Sequence, residues 1–293
     1  MVALRNTFAD LPPIVRDHVS WYVLLNSCSH HSHLSSANNF DDCSMYRNDI
    51  RIACLSLTKP IFPYYRYRRP LAANSILPPN KELSVLAKRL VSLSEIPGLF
   101  GPVMCVTIHD LKELVLYSES VKGEPSIEYD EQLDEYFSNE IQYVEYSLMS
   151  DRYTASGEFK GDNTTEGCVR LACLIFHNTA IWQFYPMLAA KLIKPISTLR
   201  VAVEVTTAAG CYNLCGDMLT WILFVGACAC GTSVPREREF FVSRLVGMVQ
   251  SQGIQSWQDL RAMMLEFFYV DRCYFVLLRE LWDEIRTVPV VVG

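Results

Sequence analysis

The chain has 293 residues, of which 50% are hydrophobic and 20% are charged, and its formal net charge is −6. This amount of apolar material is enough for one large core or two smaller ones, so the composition excludes disorder over most of the length. A net negative chain also lacks the basic surface with which a dedicated nucleic-acid-binding protein neutralises phosphates.

The N-terminal part predicts one helix followed by a long irregular segment. Met1–Asp10 lacks the apolar stretch of a secretory signal peptide. Apolar residues at helical spacing predict a helix over Leu11–Cys28. The helical pattern then decays, and prolines become frequent, so we expect Ser29–Pro79 to be rich in loops. We therefore divide the chain into an N-terminal segment, 1–79, and a helical domain, 80–293.

A clear helical period begins at Asn80. Four leucines and an alanine form one apolar face before Pro97-Gly98, which predicts a single helix ahead of that turn. Thr107 and Asp110 have the spacing of a capping box, so we expect the next helix to begin there. A further helix is predicted over 128–149, where one face is apolar and the other is acidic.

The C-terminal half predicts a succession of helices joined by short loops. After a polar loop, the predicted helices are 165–184, 197–209, 214–230, 235–251, one that starts with a capping box at Ser256 and Asp259, and one over about 271–286. Pro235 fits the first turn of its helix, and Gly253 fits the residue that ends it. Met218–Cys230 is strongly apolar, but its 13 residues are fewer than the roughly 20 that span a bilayer, so we expect a buried core helix.

These patterns predict an all-α fold, arranged as a multi-helix bundle or an irregular array of helical hairpins, because no strand-like alternation extends beyond a few residues. The chain has eleven cysteines, and no two of them form a C-x-x-C pair. A structural zinc site needs a repeated set of such pairs. We therefore interpret the cysteines as reduced, small hydrophobic residues.

Four sequence motifs follow one another along the chain, and the fourth consists of two segments. They are Ile96–Leu116 (IPGLFGPVMCVTIHDLKELVL), Arg170–Ile181 (RLACLIFHNTAI), Leu219–Cys230 (LTWILFVGACAC), and the closing pair Arg236–Leu245 (REREFFVSRL) and Ser256–Asp271 (SWQDLRAMMLEFFYVD). In order and spacing they resemble the fungal-specific transcription factor regulatory domain. The resemblance extends over roughly residues 95–286.

In that family the domain lies C-terminal to a DNA-binding binuclear zinc cluster with six cysteines, and it regulates activity, mediates association and senses small molecules. The cysteine spacing here does not contain that cluster, which puts direct sequence-specific DNA binding in doubt. The resemblance therefore implies a nuclear transcriptional regulator that acts through protein contacts, with a DNA-bound transcription factor as partner and a small-molecule effector. It also implies control of a metabolic or secondary-metabolite gene set. No cofactor and no membrane association are expected.

A basic and aromatic patch occupies residues 64–69. Arg66, Arg68 and Arg69 alternate with or follow tyrosines, an arrangement that can stack bases, contact phosphates or serve as a short nuclear-import signal. A surface loop whose tyrosines pack on the domain explains the same residues, and both interpretations remain open.

Three aromatic or imidazole side chains, His177, Trp182 and Trp221, are the candidates for an effector pocket. A histidine on an apolar helix is more often a satisfied core residue, and that alternative also remains open. Residues 124–151 contain nine acidic and no basic residues. This face either recruits a basic partner or is simply the solvated side of an amphipathic helix. Four arginines are expected to pair with acidic residues across helices: Arg170, Arg236, Arg238 and Arg244.

Metal and catalytic sites are not predicted. Cys28 and the histidines at 30, 31 and 33 lie too close together in sequence for easy tetrahedral closure, which favours a solvated loop. The chain also lacks the G-x-S-x-G, phosphate-loop and H-E-x-x-H motifs, so we assign no catalytic residue and predict no enzyme. Two alternatives remain open: a truncated or degenerate transcription factor without activity, and an unrecognised helical ligand-binding protein or enzyme.

Overall fold

The computed structural model describes residues 40–66, 81–122, 131–184, 192–231 and 234–287. Most of these residues lie in ten α-helices, and none of them forms a β-strand, so the predicted all-α class is confirmed. The helices are α1 (Phe40–Ser56), α2 (Lys88–Ser94), α3 (Pro102–Tyr117), α4 (Glu131–Ser150), α5 (Thr165–Ala180), α6 (Ile193–Ala208), α7 (Gly216–Cys230), α8 (Pro235–Ser251), α9 (Trp257–Leu265) and α10 (Asp271–Thr287). The helix predicted over Leu11–Cys28 lies outside these ranges.

Local sequence signals set several helix ends as predicted. The Ser256 side chain accepts a hydrogen bond from the backbone N–H of Asp259, whose carboxylate accepts one from the Ser256 N–H. This reciprocal pair is the predicted capping box of α9. Pro235 is the first residue of α8, and Gly253 follows the end of that helix with a φ of +66°.

The predicted capping box at Thr107 is wrong. Thr107 lies inside α3 and donates its hydroxyl hydrogen to the carbonyl of Val103. The helix begins earlier, at Pro102, and the N–H of the preceding Gly101 donates to the carboxylate of Glu166. A contact from α5 therefore supports this helix end, and Pro102 at the first helical position is a local signal that the sequence interpretation missed.

The apolar segment before Pro97 is not the single helix that was predicted. A short 3₁₀ turn, Glu82–Val85, precedes α2, and Ala87 between them has a φ of +55°. The N–H of Ala87 donates to the carbonyl of Phe267 at 2.8 Å, and the N–H of Arg89 donates to that of Glu266 at 2.9 Å. These carbonyls follow α9, where they would otherwise lack helical partners. Pairing between the two segments overrides the local helical period.

The segment predicted to be rich in loops contains α1, so that prediction is wrong for this stretch. Apolar residues of α1 belong to the common core, and the helix packs against α4 and α6. The chain then folds back, because the Asp49 carboxylate accepts hydrogen bonds from the N–H groups of Ile61 and Phe62 at 2.8 and 2.9 Å. The described part of 1–79 thus shares its core with the helices of 80–293.

The polar loop between α4 and α5 is fixed by buried ion pairs. Arg152 Nη2 lies 2.5 Å from Asp162 Oδ2, and Arg170 Nε lies 3.0 Å from Asp151 Oδ2. All four side chains are at most 5% exposed. Arg152 also donates to the carbonyl of Leu57, directly after α1. Buried charges of this kind are tolerated only when they are paired, so the loop conformation depends on these contacts.

The central helix of the core is α7. Residues 218–227 are all buried, and the helix packs against α5, α6, α8 and α10. A helix that is apolar all round is expected to be covered on every side, and this confirms the predicted core helix. No helix in the described ranges is both long enough and apolar enough to cross a membrane.

Close approach of α7 and α8 at Gly226 gives a first prediction. A Cβ atom at Gly226 would lie 2.6 Å from the fully buried ring of Phe241. We expect Gly226→Ala to lower the free energy of unfolding by roughly 1–3 kcal/mol, because the enclosed ring cannot move aside. Denaturant unfolding of the purified chain measures this change.

Gly247 on the neighbouring helix α8 provides the matched control, since a Cβ atom there would meet no atom within 4 Å. Gly247→Ala is expected to raise the free energy of unfolding by about 0.5–1 kcal/mol, because alanine favours the helix. Similar effects of the two substitutions would contradict the close contact at Gly226.

Candidate functional site

Two of the predicted effector-pocket residues meet at a buried carboxylate. Trp182 Nε1 donates to Glu145 Oε1 at 2.7 Å, and His177 Nδ1 lies 3.6 Å from the same oxygen. Arg51 Nη1 lies 2.6 Å from Glu145 Oε1 and donates to Asn178 Oδ1 at 2.5 Å. The Arg51 guanidinium also lies over the indole of Trp182, 4.2 Å from the ring centroid. This Glu145 centre joins α1, α4, α5 and the turn after α5.

The electrostatics of the Glu145 centre favour an ionised carboxylate. Burial raises the pKa of Glu145, but the charge of Arg51, the nearby His177 and the Trp182 hydrogen bond lower it to about 2. The Glu145 side chain is fully buried. Neither ring nitrogen of His177 has a hydrogen-bond partner among the described residues. A carboxylate with so low a pKa is a weak general base near neutral pH. The contacts of Glu145 are therefore better explained by a structural role, in which it holds the helices together, than by proton transfer.

The third candidate, Trp221, belongs to a separate aromatic layer between α7 and the segment after α9. Its ring stacks on Phe267 with centroids 5.6 Å apart, and its Nε1 donates to the carbonyl of Phe268 at 3.1 Å. The structure therefore brings His177 and Trp182 together at Glu145 and places Trp221 elsewhere in the core. All three side chains are buried, and an effector pocket formed by them stays a prediction.

Of the predicted basic and aromatic patch, the structure describes Tyr64, Tyr65 and Arg66. The Tyr64 hydroxyl donates to Asn139 Oδ1 at 3.1 Å and its ring packs against the core, whereas Tyr65 is exposed.

Arg66 is the one arginine of the patch that is described. Its Nη2 lies 2.6 Å from Glu140 Oε2, and its Nη1 lies 2.8 Å from Asp110 Oδ1. Two carboxylates of the chain thus offset the charge of this guanidinium. Arg68 and Arg69 lie outside the described residues, and the nucleic-acid or import role of the patch stays a prediction.

The acidic stretch 124–151 is not a solvated surface at three of its carboxylates, two in α4 and one directly after it. Glu140, Glu145 and Asp151 are each at most 3% exposed. Each one lies within salt-bridge distance of an arginine from another part of the chain. The solvated-face interpretation is therefore wrong for these three residues. A helical pattern identifies a face of charges, but it does not reveal which distant cations cover that face.

The nine cysteines whose side chains are described are free, and several are fully buried, as the sequence predicted. Burial raises the pKa of the fully buried thiols, that of Cys230 for example to about 12, so they stay protonated near neutral pH. No group of three or more His, Cys, Asp or Glu side chains with metal-site geometry occurs in the described ranges. Cys28 and the neighbouring histidines lie outside those ranges.

Two surface recesses flank α8, and Ser243 lines both of them. The first, between α6, α7 and α8, has a volume of about 260 Å³. We call it the Arg244 cleft, and it is lined by Val203, Thr207, Leu219, Leu223, Ser243, Arg244, Gly247 and Met248. Its walls are mainly apolar, its polar groups are two hydroxyls and one guanidinium, and it contains no acidic side chain.

The second recess lies between α7, α8 and α10 and has a volume of about 700 Å³. We call it the acidic groove. Its apolar lining residues include Cys228, Val242 and Leu277, and its carboxylates are Glu239, Glu280 and Glu284. The single guanidinium in the lining, that of Arg238, pairs with Glu284 at 2.5 Å and donates to the carbonyl of Ala227. The groove therefore presents apolar surface beside an excess of negative charge.

The expectation that four arginines pair across helices is confirmed for Arg170 and Arg238. It is wrong for Arg236 and Arg244, which have no ion pair among the described residues.

Sequence reasoning missed both recesses, although one local signal for them was available: Ser243 and Gly247 are small residues four positions apart, on the same face of α8. The walls supplied by α6 and α10 leave no such trace in the sequence.

Comparisons with protein-family models, with curated proteins and with solved structures found no match to this chain.

Proposed function

We propose that this chain is a regulatory domain of transcription that acts in the nucleus through protein contacts. The ordered segments that resemble fungal transcription factor regulatory domains support the proposal. They coincide with α3, α5, α7, α8 and α9, and most of the buried core belongs to these helices and their immediate neighbours. The resembling residues are thus mainly those that maintain a helical scaffold, and the contacts with partners fall to its surface.

The acidic groove is the observation that carries this proposal. Its volume of about 700 Å³ lies within the range of sites that hold ligands or side chains of a partner. Val242 is almost completely buried at one wall, whereas Glu239 and Glu280 are exposed. An apolar centre with a polar rim is typical of surfaces that bind proteins.

The chemistry of the groove defines the partner that fits it. Three glutamates and one already paired arginine leave a formal excess of negative charge. A complementary partner therefore presents an apolar ridge flanked by Lys or Arg side chains, as on one face of an amphipathic helix. A basic segment of a DNA-bound transcription factor has this chemistry.

Charge reversal in the groove tests the proposal. The gene is deleted in the source organism, and it is returned as wild type or with Glu239→Lys and Glu280→Lys together. Both residues are exposed, so the fold is expected to tolerate the change. We expect deletion to change a defined set of transcripts, the wild type to restore them, and the double variant to fail.

Glu95→Lys is the matched control, because Glu95 is exposed at the end of α2, away from the groove lining. It should restore the transcripts as well as the wild type, and the tagged wild type should be recovered with nuclear chromatin. An unchanged transcript profile in the deletion strain would contradict a role in transcription. Full restoration by the double variant would instead show that the groove is not the contact surface.

A further inference from the structure

We propose that the Arg244 cleft binds a small carboxylate with an apolar body. This inference goes beyond the proposed function, because binding of a small molecule to the purified chain requires no protein partner. The cleft is a separate recess from the acidic groove, although Ser243 lines both, and it draws its walls from three helices.

The cation in the cleft has no anionic partner among the residues that the structure describes. Arg244 is exposed and forms no ion pair among the described residues; its guanidinium lies 5.7 Å from the ring centroid of Phe240. No acidic side chain lines the cleft. A guanidinium donates two parallel hydrogen bonds to a carboxylate, and this geometry selects planar anions. The hydroxyl of Ser243, also in the lining, can contribute a further donor.

The space beside this cation is apolar. Leu219 and Leu223 from α7 and Met248 from α8 line it, and Gly247 leaves it open, because a Cβ atom there would meet no atom within 4 Å. Arg244 and Gly247 are three positions apart, so they lie on the same face of α8. A ligand whose carboxylate meets Arg244 can therefore extend its apolar body over Gly247 towards the two leucines.

The volume limits the ligand size. About 260 Å³ corresponds to roughly nine water molecules at ~30 Å³ each and lies below the ~300–1,000 Å³ of sites for drug-sized ligands. An aliphatic or aryl-aliphatic acid of roughly ten non-hydrogen atoms matches this space, because each such atom takes somewhat less volume than one liquid water. Octanoate and 3-phenylpropionate are suitable probes.

Calorimetric titration of the purified 293-residue chain with octanoate and 3-phenylpropionate tests the inference. We expect saturable binding of the acids, and binding of octanamide at least tenfold weaker, since the neutral amide loses the charge-assisted hydrogen bonds. Inorganic phosphate, titrated in parallel, is expected to bind at least tenfold more weakly than octanoate, because it has no apolar body to pack against the apolar walls of the cleft. Failure of both acids to bind, or equal affinity for octanamide or phosphate, overturns the proposal.

Two variants locate the site, and one serves as the control. Arg244→Gln should weaken octanoate binding at least tenfold by removing the cation. Gly247→Leu should weaken it at least as much by filling the cleft, while circular dichroism confirms that the helices are retained. Arg236→Gln removes an exposed arginine of the same helix outside the lining and should bind octanoate within twofold of the wild type. Wild-type affinity in either cleft variant would overturn the assignment of the site.

Discussion

Replacing Glu145 with alanine is expected to lower the free energy of unfolding by about 3–5 kcal/mol. Glu145 is fully buried, and Arg51 and Trp182 both bond to its Oε1 atom. Its removal takes away a carboxylate 2.6 Å from the largely buried Arg51 guanidinium and the acceptor of the Trp182 N–H hydrogen bond. Such a loss costs more than the pair itself contributes to stability, because the guanidinium that remains buried keeps its desolvation penalty. Denaturant unfolding at neutral pH measures the change.

The control for this variant is Glu204→Ala, since Glu204 pairs with Arg200 on an exposed face of α6. Removing an exposed partner of this kind is expected to change the stability by less than about 1 kcal/mol. Equal losses in the two variants would contradict the view that burial decides the cost.

The pH dependence of stability provides a second measure of the same centre. The folded-state pKa of Glu145 is lowered from 4.5 to about 2. Its stabilising contribution is therefore complete above pH 4.5 and is lost as the pH falls towards 2, a change of about 3 kcal/mol. Glu145→Gln should lack this component, so its stability should fall less steeply than that of the wild type between these pH values. Parallel pH profiles for the two chains would show that Glu145 is not held in its ionised form.

Replacing Trp221 with alanine is expected to be similarly costly, at about 3–5 kcal/mol. The indole is fully buried in α7, stacks on Phe267 and donates to the carbonyl of Phe268. Truncation opens a cavity at the centre of the core and leaves that carbonyl without this donor. Thermal and denaturant unfolding are the measurements.

Trp221→Phe separates the two contributions. Phenylalanine keeps an aromatic ring against Phe267 but cannot donate to Phe268, so we expect a smaller loss than for alanine, by roughly half. If the phenylalanine variant were as unstable as the alanine variant, the hydrogen bond rather than packing would dominate. A loss below about 1 kcal/mol for alanine would contradict the central position of Trp221 in the core.

The stability of the core also bears on the two recesses. Gly226 of α7 lies against Phe241 of α8, and α8 supplies a wall to both the Arg244 cleft and the acidic groove. Variants that disturb this contact are expected to affect both recesses together. The functional tests above therefore use exposed residues of the recesses, so that loss of binding can be separated from loss of the fold.

The sequence by itself determined the fold class and the central helix. Its helical periods predicted most of the helices from α3 onward, and the length of the apolar run predicted that α7 is buried. Residues that act on their immediate neighbours also set helix ends correctly, as at Pro235 and Ser256. These features depend on interactions within a few positions of the chain, and such interactions are visible in any linear sequence.

Only the tertiary structure decided the charges, the broken helix and the recesses. Arg51 and Glu145 are 94 positions apart, and the left-handed turn at Ala87 depends on carbonyls near residue 267. The walls of the Arg244 cleft likewise come from three helices. The physical reason is the same in each case: a buried charge, an unpaired N–H and an open surface are defined by whatever packs against them, and those neighbours are remote in sequence.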